Sequence, residues 1–79
     1  MPRVYLTSND RLNARLAAWV YGQMKVQKVT QNMIAEKRGV SRQAISKKLR
    51  ARSFDYDDFL TFVEIFEPDD AELLRLVRG

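Results

Sequence analysis

Between Thr30 and Arg50 the chain carries the marks of two short helices joined by a tight turn. Thr30 and Ser41 each suit a helix N-cap, because a side-chain oxygen there can accept from an unpaired N–H of the first turn. Gly39 stands where the first of the two helices must stop, in a left-handed conformation that glycine adopts without steric cost. Ala35 is small enough to let two helices cross steeply at close range. Ile34, Val40, Ile45 and Leu49 supply the apolar inner faces. These needs are independent, and their being met together at compatible spacings constrains the fold more than any other feature. A pair of helices so joined is also the arrangement that places one helix in a DNA major groove.

The second helix of this pair, about Arg42 to Arg50, divides cleanly by helical periodicity. Ile45 and Leu49 share one flank, Gln43, Lys47 and Arg50 fall opposite, and Ser46 lies between. The outward side therefore bears groups that bond to base edges and phosphates. Glutamine suits a bidentate contact with adenine, and lysine suits guanine O6 and N7. Arg42, beside Ser41, is in the first turn, the end that enters the groove in such arrangements. Gln43 and Lys47 are thus expected to read bases, with Arg42, Ser46 and Arg50 as further base contacts. Lys28, Ser41, Lys48 and Arg52 are expected to hold the phosphate backbone. A basic helix face is more often merely solvated, and the preceding helix and regional charge are what favour the functional reading.

That charge is segregated. Residues 25–52 hold nine Lys or Arg and one Glu, whereas residues 53–72 hold eight Asp or Glu and no Lys or Arg. The first block is an electrostatic footprint for a polyanion, and the second is expected to face away from it or to meet another partner.

Composition narrows the alternatives. Seventy-nine residues support one small domain, and 46% apolar content is enough for it to fold. Without cysteine or histidine, the commonest thiolate and imidazole chemistry is missing. The carboxylates sit at helix starts and on polar faces, not in an apolar pocket that would raise a pKa. The expectation is a protein with no catalytic residues, metal or cofactor, and not an enzyme. The longest apolar run, Leu16 to Tyr21, is far shorter than the ~20 residues a membrane span requires. With no signal-peptide stretch at the start, a cytoplasmic location is expected.

The flanking sequence predicts an all-α domain of five short helices. Helix 1 is expected to start after Thr7 or Ser8, using Thr7 and Asp10 as a capping pair, and to fray between Met24 and Gln27. Val4 to Leu6 would form an extended arm. Helix 2 covers about Gln31 to Arg38, helix 4 about Tyr56 to Phe66 behind Asp55, and helix 5 follows Asp69 and Glu72 as an acidic capping box. Pro68 separates the last two. Trp19, Phe54, Tyr56, Phe59, Phe62 and Phe66 are read as core, not as base-stacking groups, because of their helical spacing and acidic neighbours. Leu73, Leu74, Leu76 and Val77 exceed what one narrow stripe needs. The surplus either covers the core or forms a two-fold contact through helix 5; the contact is favoured, with exchange of the N-terminal arm and its Arg3 as the other route to a homodimer.

The segment with Gln31, Ala35, Gly39, Val40, Ala44, Ile45, Lys47 and Leu49 resembles the helix-turn-helix of the phage Cro/C1 (XRE-type) repressor family. The long first helix with Ala14, Arg15, Ala18 and Tyr21, and the two helices after the motif, are similar to the five-helix lambda repressor-like DNA-binding domain. The resemblance implies that Gln31 bonds a phosphate and that Ser41, Arg42, Gln43, Ser46 and Lys47 face bases or adjoining phosphates. It also implies a transcriptional regulator that binds a palindromic operator as a dimer. Arg38 and Lys48 occupy two positions that are usually apolar in the family. They bear on the tilt of helix 3, and so on which of Ser46, Lys47 and Arg50 reaches a base. The rival readings are a protein-interaction module such as an antirepressor, using the acidic helix 4 region, or the DNA-binding antitoxin of a toxin–antitoxin pair.

Overall fold

The computed structural model describes the backbone of residues 3–78 and the side chains of residues 11–78. Five helices follow in order: α1 Arg3–Gln27, α2 Gln31–Arg38, α3 Arg42–Ala51, α4 Tyr56–Phe66 and α5 Asp70–Arg78. There is no strand among the described residues, and no described helix is long and apolar enough to cross a membrane.

Local chemistry accounts for most of the boundaries. The Thr30 hydroxyl accepts from Met33 N–H at 3.2 Å, and the Ser41 hydroxyl accepts from Ala44 N–H at 3.1 Å. Gly39 takes φ 80, which lets its own N–H and that of Val40 both bond the Ala35 carbonyl, at 2.8 and 3.0 Å. Asp55 and Asp58 cap α4 reciprocally: Asp58 N–H donates to Asp55 Oδ1 at 2.8 Å, and Asp55 N–H to Asp58 Oδ2 at 3.0 Å. Three other helix ends use non-glycine residues at positive φ: Lys28 (58), Arg52 (53) and Glu67 (50).

Three expectations need correction. α1 begins at Arg3, so Val4 to Leu6 are helical and Thr7 lies inside the helix. Adding a turn to an existing helix avoids the cost of nucleation, and this outweighs a local capping preference worth about 1 kcal/mol. The side chains of Arg3, Thr7 and Asp10 lie outside the described residues. Before α5 only half of the capping box forms. Asp69 Oδ1 accepts from Glu72 N–H at 2.8 Å, but the Glu72 carboxylate turns inward to accept from Trp19 Nε1 at 2.9 Å. Tyr56 is 72% exposed and so is not core: it lies roughly 120° around α4 from Phe62, away from the flank on which Asp58, in the same turn, is buried.

The core is one cluster: Leu16 and Val20 from α1, Ile34 and Ala35 from α2, Ile45 and Leu49 from α3, Phe62 and Phe66 from α4, and Leu76 from α5. Trp19 meets Phe66 edge-on with ring centroids 5.4 Å apart, and Phe54 meets Phe62 likewise at 5.4 Å. Arg15 fastens α5 to α1 by donating from Nε to the Leu76 carbonyl and from Nη2 to the Val77 carbonyl, both at 3.0 Å. These acceptors are carbonyls at the end of α5, where a cation also complements the helix dipole. α2 packs against both α3 and α4, so α3 is supported from behind by the apolar cluster.

Candidate nucleic-acid interface

α3 is seated by Ile45 and Leu49, both buried in the core. Seating that flank turns Arg42, Gln43, Lys47 and Arg50 to solvent along one helix, with Ser46 half-buried at the margin. The five expected base-contacting residues are thus gathered on α3, four of them exposed. Ser41 is exposed just before them, but its oxygen already accepts from Ala44 N–H, which leaves the hydroxyl proton as the group it can offer. Gln31 is half-buried in the first turn of α2. Lys28 and Arg52 are exposed at the positive-φ residues that end α1 and α3.

Lys48 is the exception. Its ammonium points toward α4 and lies 2.9 Å from Asp58 Oδ2. It is an internal ion-pair partner here, unlike the unpaired cations with which the sequence groups it as a phosphate contact. The reason is angular: Lys48 lies roughly 60° from Ile45 around the helix, beside the buried flank and not opposite it. Arg38, at the end of α2, reaches the same carboxylate with Nε 2.9 Å from Oδ1, and places Nη2 3.4 Å from Asp55 Oδ2. The two departures from the apolar pattern are therefore one construction around Asp58. Asp58 is only 1% exposed, and no buried side-chain polar atom in the described residues lacks a partner.

Burial pushes the Asp58 carboxyl up, but the Asp55 amide, Lys48 and Arg38 together outweigh it and hold the group below the ordinary carboxylate range. The bond to Asp58 raises the Arg38 guanidinium above its ordinary value despite the opposing effect of desolvation. Both groups therefore remain ionised at neutral pH. Lys37 also pairs with the acidic segment, at 3.8 Å from Glu64. Lys25, Lys28, Arg42, Lys47, Arg50 and Arg52 form no ion pair among the described residues. The acidic segment thus occupies three cations of the basic stretch and leaves six available to a polyanion.

Sequence reasoning missed Asp58 as part of this site. The available signal was a pair of charges, Arg38 and Lys48, at positions that are usually apolar in the family the motif resembles, followed by an aspartate in the first turn of a helix capped by another aspartate. No family model, no curated protein and no solved structure matches the chain.

Proposed function

We propose that this chain is a sequence-specific double-stranded DNA-binding regulator of the Cro/C1 type, with the lambda repressor-like five-helix fold, and that α3 enters the major groove. The observation that carries the reading is the division of α3. Two aliphatic side chains anchor it to the core, while an amide and two cations stand clear on the other side and Arg42 is exposed in its first turn, after a turn closed by Gly39. In this reading Gln43 and Lys47 contact bases, Arg42, Ser46 and Arg50 contact bases or adjoining phosphates, and Lys28, Gln31, Ser41 and Arg52 hold the backbone.

Selection of bound duplexes from a random pool tests it. A palindromic consensus is the expected result, and retention of all sequences alike would overturn it. On the selected site, Gln43→Ala or Lys47→Ala is expected to cost ~1–3 kcal/mol and to relax base preference at one position. Lys28→Ala should weaken selected and random duplexes equally and flatten the salt dependence by about 0.9 in slope. Titrations at several salt concentrations separate the two behaviours.

The same reading includes a homodimer, since one small reader covers too short a site for a palindrome. α5 exposes Leu74 (53%) and Val77 (46%), and Val77 borders a cleft of about 430 Å³ lined also by Leu12, Leu16, Phe54 and Phe59. Leu74→Glu is expected to shift the sedimentation coefficient to that of a monomer and to weaken operator binding. A wild-type chain that sediments as a monomer at high concentration would remove the dimer from the proposal. The competing interaction-module reading draws on Tyr56 and Leu60, exposed on α4 beside the acidic Asp57 and Glu64. Capture of a basic protein partner without salt-sensitive duplex binding would favour it.

A further inference from the structure

Two adjacent lysines on α3 are used in opposite ways. Lys47 is exposed and free of ion pairs among the described residues, whereas Lys48 is tied to Asp58 of α4 at 2.9 Å. The other Asp58 oxygen holds Arg38 at the end of α2, also at 2.9 Å. The carboxylate is also held within its own turn, where Asp58 Oδ2 accepts from Asp55 N–H at 3.0 Å. One buried side chain therefore joins three helices.

The rest of the support behind α3 is apolar: Ile45 and Leu49 belong to one cluster with Ile34 and Ala35 of α2 and Phe62 of α4, and Val40 packs against it. Such surfaces keep their buried area when one helix rotates slightly on another, since apolar burial has no direction. Charged hydrogen bonds are directional and weaken steeply as the angle departs from linear. A buried ion triad is a poor source of stability compared with apolar groups of similar volume.

We propose that Asp58, acting through Lys48 and Arg38, is a positioning residue that sets the angle of α3 against α4, and thereby the sequence discrimination of Gln43 and Lys47, while keeping Lys48 off the phosphates. This rests on the duplex-reading role proposed for α3. The bases are read by side chains on the outward side of α3, and a small rotation carries those tips off their partners. Contacts to phosphate, spread along the backbone and tolerant in geometry, survive it.

Lys48→Met provides the test, because it leaves Asp58 paired with Arg38. Binding to the selected duplex and to random duplex is measured across salt concentrations, and amide residual dipolar couplings give the orientation of α3 in the free protein. The expected result is a fall of tenfold or more in the ratio of selected to random affinity, an unchanged salt slope on random DNA and a reoriented α3. Lys48→Arg, which can keep the ion pair, should retain the ratio. A slope flattened by about 0.9 with the ratio intact would make Lys48 an ordinary phosphate contact and overturn the proposal. An unchanged ratio and an unchanged α3 orientation would equally overturn it, whatever happens to the melting temperature. A wild-type protein that enriches no consensus would sink the DNA reading instead, and the α3 orientation in Lys48→Met then decides the positioning role by itself.

Discussion

Phe62→Ala is expected to leave a substantial fraction of the chain unfolded at physiological temperature. Phe62 is 2% exposed and is the largest fully buried side chain of the described residues. It lies in the cluster shared by all five helices and takes the Phe54 ring edge-on at 5.4 Å. Truncating a buried phenylalanine costs ~3–5 kcal/mol, the loss of transfer free energy adding to that of an unfilled cavity. A domain of this size has a total stability of about 4–12 kcal/mol at 0.05–0.15 kcal/mol per residue. Each kcal/mol moves the midpoint of a small domain by roughly 4–8 °C, so a fall on the order of 20 °C is expected. Thermal and urea unfolding followed by circular dichroism measures it. Tyr56→Ala, on the same helix but at a solvent-exposed ring, should stay within about 0.5 kcal/mol of wild type. Equal effects of the two substitutions would mean that α4 is not seated by Phe62.

That contrast shows where sequence reasoning ran out. Tyr56 and Phe62 are both aromatic and both in α4, and periodicity places each on a plausible apolar stripe. Tyr56 lies roughly 120° around α4 from Phe62, and tertiary packing decides that cover extends around the helix to Phe59 but not to Tyr56. Boundaries set by near neighbours were legible. Thr30 with Gly39 bracket α2, and Asp55 with Pro68 bracket α4, because caps and breakers act within a turn. The start of α1 was not, since propagation overruled a local cap. The outward side of α3 was legible as well, because Ile45 and Leu49 fix it from within the helix. The fate of Lys48 was set by Asp58, ten residues on and in another helix, although its place beside Ile45 was a warning that periodicity carried. Glu72 was likewise diverted from its local cap by Trp19, a partner distant in the chain.

Asp58→Ala should be the second severe change, and its pH dependence identifies the cause. The substitution leaves Arg38 and Lys48 without their shared acceptor and removes one arm of the α4 capping box. Breaking a buried ion pair from one side costs ~3–5 kcal/mol, and here the low end is expected because both cations are partly exposed and can turn to water. Replacing the three together, as Arg38→Met, Asp58→Leu and Lys48→Met, should cost far less, since no charge is then left buried. In the wild type the Asp58 carboxyl titrates below its ordinary value of 3.8. A carboxylate depressed by folding binds fewer protons folded than unfolded near that pH, so its stabilisation is complete above about 3.8 and is lost as pH falls through the lower folded value. The stability gap between wild type and Asp58→Ala should therefore hold steady from pH 7 to about 4 and narrow below that, as read from urea midpoints at each pH. Taking the difference cancels the other carboxylates, which titrate in both proteins. A gap that stays constant into strong acid would mean that the loss comes from packing around the aspartate and not from its charge.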